Sequence, residues 1–161
     1  MTMRALAALL FLLGGVLLIG STDSCNAQEP LEFSVVKKGE VSPSGNHAPV
    51  VKVIRNNTEW GNFWIELNIN AFIVPARPAV DFDHTILIAV VDAPQPTGGH
   101  AIAVTSVLPT STGVVVVAQQ VAPGPGCIVS EDLKQPFQVV AVPGFSGAAT
   151  LALSPAVCDC D

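Results

Sequence analysis

The feature that most constrains the fold is a succession of short β-type runs in the second half of the chain. The runs are rich in valine, isoleucine and alanine, and the links between them are short and rich in proline and glycine. Apolar runs bounded by turn residues are typical of β-strands. The predicted strands are Ile86 to Val91, His100 to Val107, Val114 to Gln120, Phe137 to Val142 and Ala149 to Leu153. The first of them is apolar throughout, which predicts a central strand buried on both faces.

The first half of the chain adds two shorter predicted strands, Leu31 to Val35 and Val50 to Ile54, and one change of period. In the sequence NTEWGNFWIEL, apolar residues recur at spacings i, i+3, i+4 and i+7, which is one face of a helix. We expect a helix of about ten residues with Thr58 as its N-cap and Glu59 in its first turn. The tryptophans Trp60 and Trp64 are predicted to pack against a sheet, with an aromatic binding shelf as the alternative.

One early helix followed by strands with short links predicts an α+β fold, a mostly antiparallel β-sheet with the helix packed on it. An all-β sandwich is the alternative. Residues 28–57 are interpreted as N-terminal strands and an approach segment, and residues 58–161 as the main domain. Together, residues 28–161 have the length of one folded unit.

The first 27 residues are predicted to be a signal peptide. Arg4 precedes an apolar run from Ala5 to Gly20, and a small, polar segment follows it. Cys25-Asn26-Ala27 resembles a cleavage site, so cleavage is expected after Ala27. One alternative is a lipoprotein tethered through Cys25, although Asp23 fits that signal poorly, and another is an uncleaved membrane helix. The protein is therefore expected to be exported and secreted, to the periplasm or the extracellular space, with an envelope lipid anchor as the alternative.

Charge narrows the possible partners. The net charge is −6, and Lys37-Lys38 is the only basic pair. Nucleic-acid affinity comes mainly from neutralised phosphates, so this composition excludes a nucleic-acid partner. It excludes an anionic membrane surface on the same ground, and membrane contact is expected only if Cys25 is lipidated.

Three cysteines remain after the signal peptide, namely Cys127, Cys158 and Cys160. Disulfides persist in the oxidising compartments that exported proteins enter. We expect a bridge between Cys127 and Cys158, with Cys160 as the alternative partner. The spacing of one residue between Cys158 and Cys160 is not that of a structural zinc site, so no metal and no cofactor are predicted.

The segment QPTGGHAIAV is the strongest candidate for a functional loop. Prolines stiffen its approach, and the glycine pair is followed by a strand, whereas a phosphate-binding loop would be followed by Lys-Ser/Thr and a helix. The glycines are interpreted as turn or bulge residues. The loop is predicted to dock on a protein, and its residues are Pro94, Pro96, Thr97, Gly98, Gly99 and His100.

No catalytic centre is predicted. The alternative is a hydrolase in which a hairpin brings His84 and His100 close to Asp81 or Asp83, whose side chains share a face if that segment is extended. We instead interpret one of these carboxylates as the cap of the turn before the Ile86 strand.

Three segments occur in one order: NTEWGNFW, then RPAVDFDHTILIAVVDAPQPTGGHAIAV, then PGPGCIVSEDLKQPFQVVAVP. Over residues 58 to 143 the chain resembles the PrcB C-terminal domain family, known for a subunit of a protease complex. The matching positions are Trp60, Trp64, Asp81, Phe82, Pro96, Thr97, Gly98, Gly99, Pro136 and Phe137. The family pattern has tyrosine where this chain has His100 and Phe137.

The resemblance implies an exported, non-catalytic protein-binding module associated with a secreted or surface protease, which it stabilises or inhibits. A structural envelope lipoprotein tethered through Cys25 is a further alternative. The residues by themselves point to export and to the lack of a catalytic constellation, and only the resemblance points to a protease.

Overall fold

The computed structural model describes residues 29–45 and 47–159, so the predicted signal peptide, Cys25 and Cys160 lie outside the described residues. The elements in chain order are β1 (Ser34–Val41), β2 (Val50–Ile54), α1 (Asn57–Leu67), β3 (Thr85–Val91), β4 (Ala101–Pro109), β5 (Gly113–Pro123), β6 (Gln135–Pro143) and β7 (Ala148–Cys158). Among the described residues, no helix is long and apolar enough to cross a membrane.

The strands form two sheets. One sheet has the order β1-β6-β3-β2 and is antiparallel throughout, and the other has the order β4-β5-β7. Within the second sheet β4 and β5 are antiparallel, whereas β5 and β7 are parallel. The chain reaches β7 from β5 by way of β6, which lies in the other sheet. The α+β prediction is confirmed. It described a single sheet, whereas the structure has two.

Helix α1 packs on one face of the four-stranded sheet. Its buried residues are Trp60, Phe63, Trp64 and Leu67, the four positions of the predicted helical face. They join Leu87, Ala89 and Val91 of β3 in one core cluster. The helix begins two residues earlier than predicted, because Asn56, not Thr58, is its N-cap. The Asn56 backbone is extended, and its side chain accepts a hydrogen bond from the Glu59 amide at 2.9 Å.

The second sheet packs on the other face of the first. Ile88 and Val90 of β3, which alternate with the helix-facing residues, join Val140 and Val142 of β6 in a second core cluster with side chains of β4 and β5. Strand β3 is therefore covered on both faces, as its continuous apolar run predicts. The predicted N-terminal strand is displaced: Leu31 and Phe33 pack against this second cluster, and the strand itself begins at Ser34.

Candidate functional site

The loop from Pro94 to His100 connects β3 of the first sheet to β4 of the second. Gln95 and Lys134 exchange two backbone hydrogen bonds, of 2.6 and 3.0 Å, in an isolated antiparallel bridge. Further along, the Gly98 amide donates to the Ser130 carbonyl at 3.0 Å. The loop is thus braced against residues 130–134 along its length, while Pro96 remains exposed.

The two glycines have different structural roles. Gly99 has a φ of +82°, which is a left-handed conformation that side chains disfavour. Gly98 has no such backbone constraint but is buried, and a Cβ placed on it would lie 2.5 Å from Ser130 Oγ. The predicted positive φ in a tight turn is confirmed at Gly99, and Gly98 permits close approach of the bracing segment.

A buried carboxylate forms the root of the loop. Asp92 is 1% exposed, and its Oδ1 accepts from the Ala93 amide at 2.8 Å and from Gln120 Nε2 at 2.6 Å. Its backbone carbonyl accepts from Gln135 Nε2 at 2.8 Å, and its amide donates to the Pro136 carbonyl at 2.9 Å. Asp92 therefore ties the first residue after β3 to β5 in one sheet and to β6 in the other.

The sequence analysis did not identify Asp92, Gln120 or Gln135 as site residues. Of the residues bonded to Asp92, it named only Pro136, as a position of the family pattern. The available indication was an aspartate directly after a strand buried on both faces, a place where a charge must find partners. Its glutamine partners lie 28 and 43 residues further along the chain and follow no local pattern.

The end of the loop meets a second predicted site residue. His100, which is half-buried, lines a cleft of about 290 Å³ together with Lys38, Gly39 and Phe137. Phe137 is itself buried, in the core cluster beneath the helix. The structure thus brings together the two positions at which this chain departs from the tyrosines of the family pattern.

The helix tryptophans are core residues, and each also fixes the segment that follows the helix. Trp60 is fully buried, and its indole N–H donates to the Pro78 carbonyl at 2.9 Å. Trp64 donates in the same way to the Pro75 carbonyl, also at 2.9 Å. The predicted packing role is confirmed, because these side chains face the sheet and form no open shelf.

Asp81, Phe82, Asp83 and His84 lie at the start of β3. Asp81 Oδ1 accepts from the Asp83 amide at 3.0 Å, which is the predicted turn cap, and Asp81 Oδ2 lies 2.8 Å from His84 Nδ1. The hydrogen bond to His84, with a smaller contribution from the Asp83 amide, lowers the pKa of Asp81 below its usual range. Both side chains of the pair are well exposed, at 64% for Asp81 and 81% for His84, beside an open cleft of about 520 Å³.

The two histidines of the hydrolase alternative are not brought together. His84 precedes β3, His100 precedes β4, and these strands belong to different sheets and form no hairpin. Strand β3 lies between them, and its seven residues span about 20 Å. Within the described residues there is no cluster of three metal-binding side chains.

The predicted Cys127–Cys158 bridge is corrected by the structure, because Cys158 has a free, exposed thiol. The two residues are neighbours all the same: Cys127 Sγ lies 4.0 Å from the Cys158 backbone carbonyl oxygen, whereas Cys158 Sγ lies 3.5 Å from the carbonyl of Asp159. Cys158 thus presents its backbone, and not its sulfur, to Cys127. The alternative pairing of Cys127 with Cys160 stays a prediction, since Cys160 lies outside the described residues.

Residues 86–143, which contain all of β3 except Thr85 and all of β4 to β6, match the family model described as PrcB C-terminal. The match confirms the resemblance over this segment, which includes the loop, Pro136 and Phe137. It begins after Trp60, Trp64, Asp81 and Phe82, so the assignment of those positions to the family pattern stays a prediction. No curated protein and no solved structure matches the chain.

Proposed function

We propose, with the PrcB C-terminal match as the premise, that this chain is an exported, non-catalytic protein-binding module that associates with a protease complex. The observation that carries the proposal is the bracing of the Pro94–His100 loop by backbone hydrogen bonds from residues 130–134. A loop already held in one shape loses little conformational entropy when it docks. Its exposed residues, Pro96 and Gly99, offer shape and no reactive group.

Site-specific crosslinking of the full chain in its own host tests this proposal. The photoreactive residue p-benzoylphenylalanine replaces Pro96 in one variant and Ser111 in a matched control. Ser111 is also exposed but lies in the β4–β5 turn, at the far end of a nine-residue strand that spans about 30 Å. We expect a subunit of a protease to be crosslinked from position 96 and not from position 111, and to be identified by mass spectrometry.

Loop variants complete the test. Pro96→Ala removes the stiffness of an exposed position and leaves the bracing hydrogen bonds in place, whereas Gly98→Val forces a side chain against Ser130. Both variants should reduce co-purification with the protease subunit, Gly98→Val more strongly. Crosslinks to the same proteins from both positions, or co-purification unchanged in both variants, would contradict a docking role. The loop would then have a structural role only.

The hydrolase alternative has one observation in its favour, the contact of 2.8 Å between Asp81 and His84. Two observations weigh against it. The pair is exposed to solvent, and His100 lies beside Phe137, which pairs with Val91 at the opposite end of β3 from His84. The alternative requires that His84→Ala or His100→Ala abolish a turnover while leaving thermal stability intact. We expect neither variant to do so.

The lipoprotein alternative concerns Cys25, outside the described residues. Mass spectrometry of the mature protein decides between the two N-termini. We expect a free N-terminus at residue 28. A diacylglycerol-modified Cys25 would instead show that the protein is anchored to the membrane by lipid.

A further inference from the structure

The second sheet differs from the first in the chemistry of its edge strands, because the edge strands of the first sheet, β1 and β2, carry lysines. Charged residues make up 12% of the chain, yet β4, β5 and β7 contain none in their full lengths. Charged residues on exposed strands are one of the devices that prevent unwanted strand pairing. The edges of this sheet therefore need another form of protection.

Three of the four sheet edges in the described residues are protected. β1 carries Lys37 and Lys38 and has a register shift between Val35 and Lys37. β2 is only five residues long and has Lys52 at its centre. β4 has a register shift after Val104, and the Leu31 amide covers part of its edge by donating to the Val107 carbonyl at 2.8 Å.

The fourth edge, β7, lacks these devices over most of its length. It has eleven residues, pairs with β5 in an uninterrupted register, and ends the order of the sheet within the described part of the chain. Both ends carry some protection: Pro155 lies near the C-terminal end, and the Arg55 guanidinium donates to the Gly147 carbonyl directly before the strand. Strand β2 packs close to β7 but does not pair with it. In a strand that pairs on one side, alternate backbone N–H and C=O groups point to the other side. From Ala148 to Ser154 these groups form a ready template for another strand.

The C-terminal end of this edge reaches the candidate loop. Cys158 pairs with Pro123, and a Cβ placed on Gly99 would lie 3.6 Å from Pro123. Two exposed apolar side chains lie at the same end, Val157 on β7 and Ile128 on the neighbouring segment, which is fully exposed. The free edge is thus continuous with the surface that the proposed function assigns to the partner.

We propose that the free edge of β7 binds an extended, uncharged strand segment of the partner protein by β-strand addition, with one end of that segment beside the loop. The nature of the partner rests on the proposed function, and the chemistry of the site rests on the edge itself. The backbone N–H and C=O groups of β7 can pair with the extended backbone of another strand. A bound strand without charged side chains avoids the cost of removing a charge from water beside this uncharged sheet.

A second copy of the chain fits this edge less well. A contact between two β7 strands would be about 36 Å long and about 10 Å thick, which buries roughly 800 Å² in total. Specific, stable interfaces bury about 1,200–2,000 Å². A single segment of another protein can extend its contact beyond β7 onto Ile128 and the loop, and so bury more surface than the strand contact alone.

A peptide-binding experiment with the purified full chain tests the site. The probe is a fluorescent peptide with the sequence of residues 113–121, the strand that β7 already pairs with, joined to a short uncharged polyethylene glycol chain for solubility. The matched probe has the same side chains but N-methyl groups on alternate amides, which removes hydrogen-bond donors from one edge. We expect saturable anisotropy changes with the first probe and binding at least about tenfold weaker with the second.

Two protein variants locate the site. Ala148→Lys/Ala152→Lys places lysines at exposed positions of β7, and Ala101→Lys/Thr105→Lys places the same charge at exposed positions of β4, on the opposite edge of the same sheet. The β7 variant should weaken binding at least about tenfold, and the β4 variant should bind within about twofold of the wild type. Circular dichroism confirms that both variants are folded.

Several results would overturn the proposal. They are equal binding of the N-methylated probe, no binding of either probe, or equal effects of the two lysine variants. Analytical ultracentrifugation provides a further check. If the wild-type protein is a dimer and only the β7 variant is a monomer, the occupant of the edge is a second copy of this chain and not a strand of the partner. Each of these results leaves the Pro96 crosslinks and the loop variants as they are, so failure of the edge site and failure of the proposed function are distinguishable.

Discussion

Replacement of Asp92 is predicted to destabilise the protein strongly, because this carboxylate connects both sheets at the root of the loop. Asp92→Ala leaves two donors, the Ala93 amide and Gln120 Nε2, without their acceptor in a largely buried site. A hydrogen bond to a charged group contributes about 1.5–3 kcal/mol, and an unsatisfied buried group costs a similar amount. We therefore expect the free energy of unfolding to fall by about 3–5 kcal/mol.

The isosteric variant separates charge from shape. Asp92→Asn keeps an oxygen acceptor for both donors and loses the strengthening that the negative charge gives these hydrogen bonds, so its expected cost is about 1–2 kcal/mol. In a double-mutant cycle, Asp92→Ala combined with Gln120→Ala should cost less than the sum of the single variants, since the unpaired donor is removed as well.

Urea unfolding followed by the fluorescence of Trp60 and Trp64, both buried in the core, measures these effects. With a slope of about 1.5 kcal/mol per molar urea, Asp92→Ala should lower the midpoint by about 2–3 M and Asp92→Asn by about 1 M. A loss below about 1 kcal/mol for Asp92→Ala, or strict additivity with Gln120→Ala, would refute the reasoning that this carboxylate joins the sheets.

Three further outcomes follow from the geometry. Gly99→Ala should destabilise the fold by about 1–3 kcal/mol in urea unfolding, because it combines a φ of +82° with a Cβ only 2.9 Å from Val129 Cγ1. His84→Ala should raise the pKa of Asp81, which carboxyl NMR titration measures. Because this pKa is lowered in the folded protein, the pair stabilises the fold above the ordinary aspartate pKa. The stabilisation is lost as the pH falls through the pKa of the folded state. A maleimide should label Cys158 in the native protein without prior reduction, and failure of the label would mean that this thiol is engaged.

Most elements of the fold could be predicted from the sequence, because each depends on a local pattern. The period of α1 fixed the buried face that includes Trp60 and Trp64, and the continuous apolar run of β3 indicated cover on both of its faces. The boundaries differ from the prediction where a second polar residue can take the same role. At the N-terminus of the helix, Asn56 is the N-cap in place of Thr58.

The pairing of the strands could not be predicted in the same way. Alternation shows which side chains are buried but does not identify the neighbouring strand. The link from β5 to β6 crosses from one sheet to the other, and β7 then returns to pair in parallel with β5. A turn-rich link gives no indication of such a crossing. The same holds for the link from β3 to β4, so a hairpin that would bring His84 and His100 together is compatible with the sequence but not with the two sheets of the structure.

The family match and the free edge divide the molecule into two parts that can be tested separately. The matched segment, residues 86–143, contains the loop, its bracing residues 130–134, and Asp92 with both glutamine partners. The loop and everything that holds it in shape therefore belong to one unit. Strand β7 begins after this segment, so the uncharged edge is a feature of this chain that the match does not cover. If the loop recognises the protease complex and the edge adds a strand of the partner, both kinds of variant should reduce the association. Only the lysines on β7 should leave the loop contact detectable by crosslinking from position 96.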